Sequence, residues 1–142
     1  MKILFITQVF YPDTVSTSQH LWDLAQYLTK NGHNITVITS AYPYEEKHEK
    51  YSYYEEVKGV SIHRISQSKF GKSSPIFRVF DFFTFSVNIG LKLLSIKKKS
   101  YDLILGTTVP PLLPFQGALF SKIKNIPFYY WVMDLQPELS IA

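Results

Sequence analysis

Five short runs dense in β-branched and aromatic residues punctuate the chain: KILFIT (2–7), NITVITS (34–40), VSIHRI (60–65), YDLILGTT (101–108) and IPFYYWVM (126–133). Runs of this length and composition read as strands. Most of what separates them has the helical period instead. Residues 16–31 place Leu21, Leu24, Ala25 and Leu28 on one helical face. Ser16, Thr17 or Ser18 can cap that helix, and Gly32 follows its end. Pro75 opens a second helix reaching roughly Lys97, and VPPLLPFQGALFSKIKN (109–125) opens a third with its prolines in the first turn. A strand joined to the next through a helix returns parallel to it, by a right-handed crossover. The expected fold class is therefore α/β: a Rossmann-like parallel sheet with helices on both faces, in one domain over residues 1–142. Residues 41–57, rich in Tyr and Glu, read as a loop up to Val57, and 126–133 as a buried strand.

Composition narrows the chemistry. With 142 residues, 46% of them apolar and 18% charged, the chain can bury one good core. It has no cysteine, which excludes disulfides, a thiolate nucleophile and cysteine-ligated metal. The four histidines (His20, His33, His48 and His63) lack metal-ligand spacing, so no metal site is expected. The N-terminal MKILFITQVF is too short in its apolar run for a signal peptide and lacks a small-x-small site. It reads as the first strand, and the expected location is the cytoplasm. The net charge of +4 is unevenly spread: residues 44–57 hold five acids against two lysines, and residues 58–99 hold nine Lys or Arg against one acid, Asp81. Such a basic stretch either meets phosphate, in lipid head groups, nucleic acid or diphosphates, or is simply a solvated surface.

In sheets of this kind ligands bind beyond the carboxyl ends of the strands. That singles out residues 8–18, 106–111 and 134–138. No G-x-G-x-x-G and no P-loop follows the first strand, which argues against a dinucleotide fingerprint. Ser16, Thr17 and Ser18, at a helix start with free N–H groups, either hold an anion or cap the helix. Thr107 and Thr108 either donate to a ligand or, for Thr108, cap the next helix. Asp134 and Glu138, at the exit of the last strand, either serve a ligand or cap and solvate the following turn. His20 is read as packing or facing solvent, His33 as answering the helix end and His63 as a strand residue.

FYPDTVSTSQHLWDLAQYLTKNGHNITVITS resembles the opening of the GT-B glycosyltransferases of the GT4 type. Pro12-Asp13 matches the family's Pro-acid step, Leu24-Ala25 its helix core, Gly32-His33 its turn, and Ile35 to Thr39 its second strand. TTVPPLLPFQGALFSKIKNIPFYYWVMDLQPEL is similar to the family's later stretch, which ends in Asp-x-x-Pro-Glu. The family's glycine pair falls on Val15 and Ser16, and Met133 stands where many members have a histidine. The resemblance implies one half of a GT-B two-domain fold, the acceptor side, with the C-terminal nucleotide-sugar-binding domain absent from this chain. The stop after Glu138, inside a βα unit, agrees with an excised domain. It further implies retaining transfer of a sugar from a nucleotide diphosphate sugar to a glycan or polyprenyl-linked acceptor, in surface polysaccharide synthesis, with no cofactor and no obligatory metal. Asp134 would be catalytic, and Val15, Ser16, Thr17, Ser18, Thr107, Thr108 and Glu138 would bind substrate.

Residues 75–99 combine five phenylalanines with Lys92, Lys97, Lys98 and Lys99. The uncharged run from Phe82 to Leu91 is ten residues, well short of the roughly 20 that span a bilayer. The segment is either a buried crossover helix with a solvated lysine tail, or a helix whose lysines face an anionic membrane at the inner surface of the cell. Two further functions remain open on the sequence. One is a non-catalytic, membrane-associated module that recruits a separate catalytic chain; the other is half of a GT-B sugar 2-epimerase. Nucleic acid is not expected as a partner, because the basic residues sit in no recognition motif.

Overall fold

The computed structural model describes residues 1–44, 50–68 and 75–133. The chain is α/β, with six strands and three helices in these segments. In chain order they are β1 (Lys2–Ile6), α1 (Ser16–Lys30), β2 (Asn34–Ser40), β3 (Tyr54–Val57), β4 (Val60–Ile65), α2 (Pro75–Ser95), β5 (Leu103–Thr107), α3 (Leu113–Lys124) and β6 (Phe128–Trp131). They form one sheet in the order β3-β4-β2-β1-β5-β6. Every pairing is parallel except β3 with β4. The chain winds outward from β1 through β2 to β4, then returns to place β5 on the other side of β1. The strand order therefore reverses between β1 and β5.

Alternation along the strands sorts the core into two layers. Leu4, Ile6, Ile38 and Ile104 face α2 and α3, where they meet Phe85, Ile89, Leu93, Leu113 and Phe120. Ile3, Phe5, Ile35, Val37, Val60 and Ile62 face α1, which covers them with Leu21 and Ala25. Helices thus pack on both faces, and each fully buried Leu, Ile or Phe contributes about 1.5–3 kcal/mol. Phe128 of β6 ties its strand to α3 through two glycines. A Cβ on Gly117 would lie 2.3 Å from Phe128 Cε2, and one on Gly106 would lie 2.8 Å from the same atom.

Several expectations need correction. The stretch up to Val57 is not all loop: β3 pairs antiparallel with β4 across the two-residue turn Lys58-Gly59. Both turn residues have positive φ, 50° and 80°, the conformation that two-residue hairpin loops favour. Among the described residues only β5 pairs with the last strand, which is therefore an edge strand there, with Tyr129 and Tyr130 exposed. The N-cap of α1 is Val15, and no side chain caps it. Pro110 and Pro111 precede α3, and only Pro114 lies in its first turn. Leu112 precedes that helix without a side-chain cap, so Thr108 is not its cap.

Candidate functional site

β1, β2, β5 and β6 all deliver their carboxyl ends to one side of the sheet, and a cleft opens there beside the strand-order reversal. Its volume is about 530 Å³. Val9 enters from the loop after β1, and Val15, Ser16, Thr17 and His20 from the start of α1. Tyr44 comes from the segment after β2, Val109 from the loop after β5, and Trp131, Val132 and Met133 from the end of β6. This is the place where open α/β sheets bind ligands.

The first loop is braced from beneath and from the side. Thr107 Oγ1 donates to Thr7 Oγ1 at 3.2 Å, and Thr7 Oγ1 donates to Val9 O at 3.1 Å. Thr39 Oγ1 donates to Gln8 O at 3.0 Å. On the flank, Asp13 Oδ1 accepts from Tyr44 N at 3.2 Å and from the Tyr51 hydroxyl at 3.1 Å. Arg64, 4% exposed, donates to Tyr11 O at 2.7 Å and to Ser52 O at 3.1 Å, and it forms an ion pair with Glu55. Its guanidinium also lies 4.9 Å from the Tyr51 ring centroid. Tyr11 in turn stacks on Trp22 at 4.5 Å. The residues around Tyr44 and the loop carrying Val9 are therefore held by one network centred on Arg64 and Asp13.

The residues expected to bind substrate divide. Val15, Ser16 and Thr17 line the cleft. Ser18 does not: it is 1% exposed, and its hydroxyl has no hydrogen-bond partner among the described residues. The reason is helical period, since Ser18 shares its face with buried Leu21 and Ala25. Thr107 is also buried and bonded within the loop, and Thr108 accepts from Met133 N at 2.9 Å. Both threonines hold the cleft floor together and neither is part of its lining. Asp134 and Glu138 lie outside the described residues.

The cleft also gathers residues not expected there. His20 sits one turn beyond Ser16 and so on the same side of α1, a signal the i, i+4 spacing carries. Trp131 and Tyr44 supply aromatic faces, for which no short motif exists. Among the described residues, no group of three or more His, Asp or Glu could hold a metal ion. Three shifts in proton affinity occur elsewhere. The Tyr53 hydroxyl is pushed below its ordinary value by the hydrogen bond from Lys50, which itself is raised by the same bond. His63 is pushed down by burial first and by Lys92 second.

Lys92, Lys97, Lys98 and Lys99 lie away from this cleft. Lys92 is on the last turn of α2 and the other three follow its end, and all four are exposed. Among the described residues no helix is long and apolar enough to cross a membrane.

No protein-family model matches the sequence, and no curated protein does either. Solved structures do resemble it. Sucrose-phosphate synthase from Thermosynechococcus elongatus superposes with a TM-score of 0.54 and 11% identity, over 92% of this chain and 32% of that one. The chain thus spans about a third of that protein's length, and what the two share is a fold. The C-terminal domain of a hydrogenase from Pyrococcus furiosus superposes more loosely, with a TM-score of 0.49 and 14% identity over 91% of this chain and 89% of that one.

Proposed function

We propose that this chain is the acceptor-side part of a GT-B glycosyltransferase of the GT4 type. It would help move a sugar, with retention of configuration, from a nucleotide diphosphate sugar to a glycan or polyprenyl-linked acceptor. The observation that carries this reading is the cleft's position and lining: an open hollow at the strand-order reversal, walled by Trp131, Tyr44, Ser16, Thr17 and His20. The fold shared with part of a sucrose-phosphate synthase supports it, as do Pro12-Asp13 and Gly32-His33 at their places in the sequence.

Glycosyl transfer needs an acceptor hydroxyl held against the anomeric carbon, stabilisation of the positive charge that develops there, and a neutralised diphosphate leaving group. The cleft suits the first task. An indole face packs against the C–H face of a sugar ring, while the serine, threonine and imidazole groups meet its hydroxyls. Asp134, the residue after Met133 in the chain, is the proposed group that orients or deprotonates the attacking hydroxyl, with Glu138 contacting substrate. The other two tasks belong to a second, nucleotide-binding domain.

The protein encoded by the complete reading frame should transfer sugar to a saccharide or polyprenyl diphosphate acceptor. Trp131→Ala should raise the acceptor KM about tenfold and leave the donor KM unchanged. Turnover of a nucleotide sugar with no acceptor present would mark a sugar 2-epimerase instead. Turnover only after adding a separate catalytic chain would mark a recruiting module.

A further inference from the structure

α2 and α3 lie side by side on one face of the sheet. Gln116 Nε2 donates to Ser86 O at 2.9 Å, and Lys124 Nζ donates to Leu94 O at 2.6 Å. Their inner stripes, Phe85, Ile89 and Leu93 on α2 with Leu113 and Phe120 on α3, are buried in the same core layer. A helix packed this way on a sheet normally turns polar residues outward. These two do not. On α2, Phe83, Val87, Leu91 and Leu94 succeed one another at i+4, i+4 and i+3 and are 58%, 44%, 61% and 54% exposed. On α3, Phe115, Leu119 and Ile123 succeed one another at i+4 and are 70%, 46% and 44% exposed. At about 100° per residue, each outer stripe stands between a third and half a turn from its inner one. Both therefore point away from the sheet on the same side, as one apolar surface across two helices.

The charge beside this surface is mostly positive. From residue 75 to residue 133 the chain holds Arg78, six lysines (92, 97, 98, 99, 122 and 124) and two acids, Asp81 and Asp102. Asp81 accepts from Ser68 Oγ at 2.7 Å. Asp102 is occupied, accepting from Lys2 N at 2.7 Å. Lys92 lies in the last turn of α2, and Lys122 and Lys124 in the last turn of α3. The triplet 97–99 follows α2 directly, and Lys99 N donates to Lys124 O at 3.3 Å, so both lysine groups meet at one end of the helix pair. Exposed apolar patches of this extent mark interaction surfaces. A second copy docked through this same face would bring mostly lysines, and few carboxylates, to these lysines. A bilayer of anionic lipid would supply both phases, hydrocarbon for the Phe and Leu stripes and phosphate for the lysines.

We infer that the outer face of α2 and α3 docks on an anionic membrane, with the helices lying in the interface and not spanning it. This inference is independent of what the cleft binds. It is tested by sedimenting the full chain with vesicles of phosphatidylcholine alone and of phosphatidylcholine with equal phosphatidylglycerol. Uptake should be confined to the anionic vesicles and should fall as salt is raised, a readout that needs no variant. The triple change Lys97→Gln, Lys98→Gln, Lys99→Gln should weaken partition about a hundredfold. Leu91→Ser and Phe115→Ser should each weaken it about tenfold, with thermal unfolding confirming that these exposed positions leave the fold intact. Equal uptake by neutral vesicles, or uptake unaffected by the lysine or the apolar substitutions, would overturn the inference. So would self-association of the chain, without vesicle uptake, that Leu91→Ser and Phe115→Ser abolish.

Discussion

Replacing Arg64 by alanine is expected to lower stability by about 3 kcal/mol, read as a shift in urea midpoint with an unchanged slope. Its guanidinium is almost fully buried and meets Glu55, Tyr11 O, Ser52 O and the Tyr51 ring. Alanine would leave two carbonyls without their charged donor and a cavity where the side chain packed. Two features hold the effect below the upper end for a buried pair. The Glu55 side chain is 34% exposed and can hydrate once its partner is gone, and Arg64 Nε has no hydrogen-bond partner to lose among the described residues. Arg64→Lys should recover only part of the loss, because an ammonium cannot reach Tyr11 O, Ser52 O and Glu55 with one planar fork. Glu55→Gln should cost about 1 kcal/mol, as befits a partly hydrated partner. Because Arg64 holds both the first loop and the segment after β2, its loss should loosen the cleft as well as the fold.

Gly117→Val is expected to destabilise by about 3 kcal/mol, and Gly117→Ala by about 1–2 kcal/mol, although alanine is the better helix former by about 1 kcal/mol. The obstacle is the Phe128 ring, whose Cε2 and Cζ would stand 2.3 and 2.6 Å from the new Cβ. The same ring covers Gly106 on β5, so it cannot retreat from α3 without leaving the strand. A double-mutant cycle makes the argument specific. In a Phe128→Ala background the obstruction is gone, and Gly117→Ala should become neutral or stabilising. If it destabilises equally in both backgrounds, the ring is not the cause.

What could be read from the sequence followed where one physical signal dominated. The strands at 34–40 and 60–65 are found at those bounds, because β-branched runs with one or two buried faces leave no helical alternative. β3 was missed because Tyr54, Glu55 and Glu56 are polar or amphipathic on an edge, and the readable signal was the Lys58-Gly59 turn beyond them. β6 was expected in the interior because its composition is apolar, but apolar residues do not by themselves place a strand at the centre. At the site, parallel topology alone determines which sheet edge the loops after the strands share, and the cleft opens on that edge. Which side chains turn into the cleft was a matter of helical phase. Ser16, Thr17 and His20 share one side of α1, while Ser18 shares the other with Leu21 and Ala25. Thr107 and Thr108 read either as ligand donors or, for Thr108, as a helix cap; their hydroxyls bond Thr7 and the Met133 N–H, partners that no local pattern names. Trp131 and Tyr44 reach the cleft through tertiary packing, for which no local pattern exists.

On the function proposed above, the cleft beside β1 and β5 holds a sugar acceptor. An amide and indole NMR titration of the chain with simple glycosides tests it most directly, because the protein's two tryptophans report on different places. Trp131 lines the cleft, whereas Trp22 stacks on Tyr11. Saturable shifts at the Trp131 indole and at the Ser16, Thr17 and His20 amides, with the Trp22 indole unmoved, are the predicted result. Shifts confined to other surfaces, or none with any glycoside at millimolar concentration, would contradict it.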